Sequence, residues 1–171
     1  EKANKHFRPS VNYRGLWFTS GSGSDNEQKK YITMFLSANV AMKYGENDKY
    51  IAVVEAGHAP KPAGAVDDEE TNFRSREHYV GYRPNSNYGV YVGLMDKVFG
   101  IRIPDHNLYS RSVPQLTMND QSHGVLLHVN YEKFEAGLQV FQGNLFQDKE
   151  FRQAGTSGKF EVNLGSQARV G

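Results

Sequence analysis

The run Val11-Asn12-Tyr13-Arg14-Gly15-Leu16-Trp17-Phe18 constrains the fold of this chain more than any other stretch. It is apolar and aromatic, the composition that suits a pleated, half-buried strand, and it carries one arginine at its centre. An arginine in such a strand is costly to bury without a partner. Its planar fork of donors matches a phosphate or a carboxylate. Two readings follow: a surface arginine on an edge strand, or an arginine that holds an anion at the floor of a cleft. Gly15, next to it, has no Cβ and lets another group come close to the backbone.

Further apolar runs follow at residues 31–36, 50–56, 88–94, 124–131, 138–141 and 159–164, each bounded by turn residues and each readable as a strand. Residues 98–103 form a further strand candidate. Residues 40–45 read as a short helix, capped by Ser37 or Asn39 and ended by Gly45. Residues 132–137 read as a single helical turn. The stretch from 57 to about 87 reads as a long irregular loop with an acidic cluster at Asp67, Asp68, Glu69 and Glu70. Residues 19–26 read as a flexible loop after the arginine strand. Together these give about seven strands with short helices, a β-rich α+β fold. The chain is expected to be one domain over residues 1–171, with a lead-in at 1–10 and a frayed tail at 165–171.

Seventeen glycines and twenty Phe and Tyr residues agree with many strands and turns. The formal charge of +1 gives no case for nucleic-acid binding driven by bulk charge. With no cysteine, there is no disulfide framework and no Cys-based zinc site. No apolar run approaches the length of a membrane span. His123 and His128 are five apart on one strand, so they point to opposite faces and make a poor metal pair. No Gly-x-Gly-x-x-Gly precedes a helix, which argues against a Rossmann dehydrogenase.

Three pieces in order carry a candidate chemistry: Tyr13-Arg14-Gly15, then Phe35-Leu36-Ser37 followed by Ala41 and Tyr44, then Asp148-Lys149-Glu150-Phe151 before a turn and the strand Phe160-Glu161-Val162. This order resembles the arginine–serine–glutamate class of mono-ADP-ribosyltransferases, the cholera-like and clostridial-toxin-like enzymes. Ser37-Ala38-Asn39 stands where the family has Ser-Thr-Ser, and Asp148-Lys149-Glu150 where it has Glu-x-Glu or Gln-x-Glu.

The resemblance implies a split sandwich of two small mixed sheets with NAD as substrate and no metal. It implies Glu150, Asp148 and Ser37 as catalytic residues. Arg14, Tyr13, Gly15 and Ser37 would bind NAD, and Phe146 and Phe141 would meet the target. Glu132 and Glu135 are rival positions for the catalytic carboxylate.

The chemistry is coherent. Cleaving the bond from ribose to nicotinamide passes through an oxocarbenium-like state that a carboxylate stabilises, while an arginine fork grips the pyrophosphate. The implied activity is transfer of ADP-ribose to a host protein, with actin or a Rho-type GTPase as candidates, by a bacterial effector secreted or injected into host cytosol. The isolated domain is expected to be a monomer with neither nucleic acid nor membrane as partner. An NAD glycohydrolase of the same fold and a non-catalytic, aromatic-rich glycan-binding module are the alternatives.

Overall fold

The computed structural model describes residues 6–21, 28–58, 73–99, 120–165 and 168–171. Nine strands form one antiparallel sheet in strict chain order: β1 (Phe7–Ser20), β2 (Gln28–Tyr44), β3 (Tyr50–His58), β4 (Phe73–Tyr82), β5 (Tyr88–Met95), β6 (Ser122–Asn130), β7 (Phe134–Phe141), β8 (Gly155–Leu164) and β9 (Ala168–Val170). Among the described residues the only helical pieces are single 3-10 turns at Glu46–Asp48 and Lys149–Phe151. The expected α+β split sandwich is therefore overturned: the chain is an up-and-down antiparallel meander.

The physical reason lies in the alternation. Residues 40–45 were expected to be helical, yet Leu36-Ser37-Ala38-Asn39-Val40-Ala41-Met42-Lys43-Tyr44 alternates larger apolar with smaller or polar residues at a period of two. Strand β2 accordingly runs through Ser37 to Tyr44 and pairs on both sides. The helical turn expected at 132–137 gives way to a tight turn at 131–133, with β7 starting at Phe134. The stretch read as an irregular loop contains β4. Its run Arg74-Ser75-Arg76-Glu77-His78 hides the alternation because a β-bulge sits there, with Glu55 opposite Glu77 and the next residue, Ala56, opposite Ser75.

Residues 7–10 of the expected lead-in belong to β1, and residues 168–170 of the expected tail pair with β8 as β9. The acidic cluster 67–70 and residues 100–103 lie outside the described residues. Val98 and Phe99 are not in a strand.

The connections differ at the two ends of the sheet. At one end the turns are short, at 45–49, 83–87, 131–133 and 165–167. Gly45 enters the first of these at φ 84, a left-handed value that glycine adopts without cost. At the other end the connections are 21–27, 59–72, 96–121 and 142–154, all longer.

Candidate functional site

Residues directly opposite each other on paired strands share a face, so the register sorts the side chains. One face carries Val11, Leu36, Val40, Met42, Val54, Val80, Val90, Val92, Val125, Leu127, Leu138, Val140 and Phe160. All of these are exposed except Val40, which is half-buried. The opposite face carries Arg14, Ser37, Glu55, Arg76, Glu77, Gln139, Lys159 and Glu161, most of them buried. Among the described residues the buried apolar side chains are only Phe35, Val53, Leu94 and Met95, against nine buried polar or charged ones. A water-soluble chain of this size buries a large apolar core instead. Leu94, opposite His78 on the outward face, is fully buried, but over most of the sheet the polarity is inverted, with the apolar face outward and the polar face inward.

Aromatic rings mark the boundaries of the outward face. At the short-turn end Tyr44, Tyr50, Tyr82, Tyr88, Tyr131 and Phe134 sit at strand ends or in the turns between them. Tyr50 and Tyr82 lie 5.5 Å apart, Tyr88 and Tyr131 5.9 Å, and Tyr131 stacks on Phe134 at 5.1 Å. The Tyr88 and Tyr131 hydroxyls share a 2.6 Å hydrogen bond, which raises the Tyr131 phenol above its ordinary pKa. Toward the long-loop end Tyr13, Trp17, Tyr31 and Phe73 are exposed on the same outward face, with Trp17 and Tyr31 opposite each other at 6.3 Å.

The inward face is tied together by charge. Ser37 Oγ donates to Glu55 Oε1 at 2.6 Å, and Arg76 Nη1 donates to the same oxygen at 3.3 Å. The Arg76 guanidinium lies 4.5 Å from the Phe35 ring centroid. Toward the far edge Glu135 accepts from His128 at 3.0 Å, pairs with Lys159, and receives Arg169 Nη1 at 3.3 Å. Arg169 also reaches Glu161 Oε2 at 2.8 Å. Buried charge on this scale is held only where partners compensate it.

Arg14 and Ser37 share the inner face on neighbouring strands, Arg14 opposite Phe35 and Ser37 opposite Asn12. Tyr13 and Gly15 face outward, where a Cβ added at Gly15 would fall on the Tyr13 and Tyr31 hydroxyls. Tyr13-Arg14-Gly15 is thus divided between two faces. Ser37 does orient a carboxylate, but that carboxylate is Glu55, and Ser37 sits mid-strand rather than at a strand-to-helix corner.

Asp148 and Glu150 are exposed at the 3-10 turn between β7 and β8, five strands along the sheet from β2. They lie outside any strand, so a two-residue spacing does not put them on one face. The connection that holds them is fastened by Arg152, which donates to the Gln147 and Leu145 carbonyls, both at 2.9 Å. Phe141 faces inward, with Lys97 Nζ 5.0 Å from its ring centroid. Phe146 lies on the outward side, 5.7 Å from His78 and 5.5 Å from His123. Glu132 is exposed in the turn 131–133, and Glu135 is bound into the inner network.

Glu55, Arg76, Gln139, Lys159, Glu161 and Arg169 were not singled out from sequence. The available signal was a polar residue flanked on both sides by apolar ones, as in Val54-Glu55-Ala56, Leu138-Gln139-Val140 and Phe160-Glu161-Val162. Among the described residues no group of three or more His, Asp or Glu side chains is placed to hold a metal ion. No protein-family model and no curated protein matches the sequence.

Proposed function

We propose that this chain forms the wall of an outer-membrane-type transmembrane β-barrel, with its apolar face against lipid and its ion-paired face lining a polar interior. The observation that carries this reading is the inverted alternation, bounded at both ends by exposed aromatic rings. Outer-membrane-type barrels alternate apolar outside and polar inside, ring the interfaces with aromatics, and join their strands by short turns at one end and long loops at the other.

Strand length agrees for β3 to β8, which have 8–10 residues each, whereas β1 and β2 are longer, at 14 and 17. From Tyr50 to His58, β3 has nine residues. At ~3.3 Å per residue and a tilt of ~40° that is about 23 Å, close to the roughly 25 Å apolar band of such barrels. No helix among the described residues is long and apolar enough to cross a membrane, so any crossing is made by strands. In lipid, unpaired backbone is too costly to persist. No described strand pairs with the outer edge of β1 or of β9, so the reading requires that these edges be closed in the membrane.

The transferase expectation loses the two-sheet scaffold that its resemblance implied, and the Ser37 hydroxyl is engaged by Glu55. The test is refolding from urea in the presence of phosphatidylcholine vesicles, followed by flotation. The protein should float with the vesicles and stay there through high salt and alkaline carbonate washes. Recovery as a folded species in detergent-free buffer, with no vesicle association, would contradict the reading.

A further inference from the structure

The connection at 96–121 is the longest between the described strands. Its first residues turn back over the inner face. The Val98 amide donates to Gln139 Oε1 at 2.8 Å. Val98 Cγ1 stands 3.0 Å from the position a Cβ would take on Gly137. Lys97 Nζ lies over the Phe141 ring. Gly137, Gln139 and Phe141 alternate along β7 and all face inward. To reach them from Met95, the end of β5, the segment crosses β6. Gln121 Nε2 donates to Asp96 Oδ1 at 3.1 Å, which ties the two ends of the connection together. Gln139 is fully buried; its carbonyl oxygen accepts from the Val98 amide and, at 3.5 Å, from Ser157 Oγ, while its amide nitrogen has no hydrogen-bond partner among the described residues.

We infer that residues 96–99 form an inward strap that narrows the barrel over β6 and β7, anchored by Gln139 and carrying Lys97 into the interior. The inference deepens the membrane-barrel reading and rests on it. The strap, rather than the strand wall, then sets the width available to small polar solutes.

The chain has no cysteine, so engineered pairs supply the only thiols. Two pairs probe the inner face: Val98→Cys with Gly137→Cys, and Val98→Cys with Gln139→Cys, which leaves Gly137 intact. The control is Val98→Cys with Leu138→Cys, whose second thiol faces outward. Vesicle-inserted protein is treated with copper phenanthroline in air, which takes two electrons and two protons from each thiol pair as the disulfide forms. At least one of the inner pairs should give a gel shift that reverses on reduction, and the control should give none. Pairing in the control, or in none of the three, overturns the strap while leaving the membrane reading in place. Failure of the unmodified chain to insert into vesicles overturns the membrane reading itself. In planar bilayers Gln139→Leu should raise single-channel conductance, and unchanged conductance would show that the strap does not set the passage.

Discussion

Leu138 and Gln139 are neighbours in β7, and the leucine is 54% exposed while the glutamine is completely buried. In water that order is the reverse of what transfer free energies favour. It is the expected order if hydrocarbon lies outside the sheet and the polar interior within it.

Leu138→Arg tests this difference energetically. On a lipid-facing strand, arginine near the midplane costs roughly 2–4 kcal/mol. An exposed position on a water-soluble sheet would change by about 0.5 kcal/mol or less. Urea titration of folding in vesicles measures the difference, and the larger loss is the expected one.

Seven of the apolar runs read as strands correspond to β1, β2, β3, β5, β6, β7 and β8, with only Tyr131 overrunning its strand, because their composition is plainly that of strands. Strand β4 is obscured because its bulge sends both Arg76 and Glu77 inward, so the run looks polar throughout. The side of the sheet on which the apolar residues lie is a different matter. Val54-Glu55-Ala56 reads the same whether valine faces a core or a membrane, since alternation gives two faces without saying which is buried. The test for membrane spans by continuous apolar length detects helices and passes over strands that alternate. Arg14, Ser37 and Glu150 could be matched in order to a short family motif because order along a chain carries no information about face. Pairing across β1 and β2 supplies that information and separates Tyr13 from Arg14.

The inner network gives a second prediction. Glu55→Gln removes the charge that Arg76 and Ser37 share. Hydrogen bonds to charged groups contribute roughly 1.5–3 kcal/mol each, so the loss should lie in or above that range. Ser37→Ala should cost roughly 1.5–3 kcal/mol, the one hydrogen bond lost, because Arg76 still reaches Glu55. Adding Arg76→Met to Glu55→Gln should recover part of the loss, since the buried guanidinium that faced the Glu55 carboxylate is then gone as well. Unfolding midpoints of the wild type and the three variants decide this.

The aromatic belt gives a pH-dependent prediction. The Tyr88 hydroxyl, bonded to Tyr131, is the main cause of the raised Tyr131 pKa, with burial second. A phenol whose pKa is raised on folding stabilises the folded state below its unfolded pKa, near 10, and loses that contribution as pH climbs through the raised value. Tyr88→Phe should therefore bring Tyr131 back toward the ordinary tyrosine value. Ultraviolet difference titration of wild type against Tyr88→Phe would show one phenol ionising at lower pH in the variant. Once the one phenol removed is allowed for, superimposable curves would mean that the hydroxyl pair does not form.

Trp17 gives the most direct measurement. It is the chain's single tryptophan, 67% exposed on the outward face of β1 near the long-loop end. In vesicles of lipids brominated at graded depths along the acyl chain, its fluorescence should be quenched, most strongly by bromines close to the headgroup. That is the level of an interfacial aromatic belt. Fluorescence untouched by brominated lipid but fully quenched by aqueous iodide would place the outward face in water and contradict the membrane account.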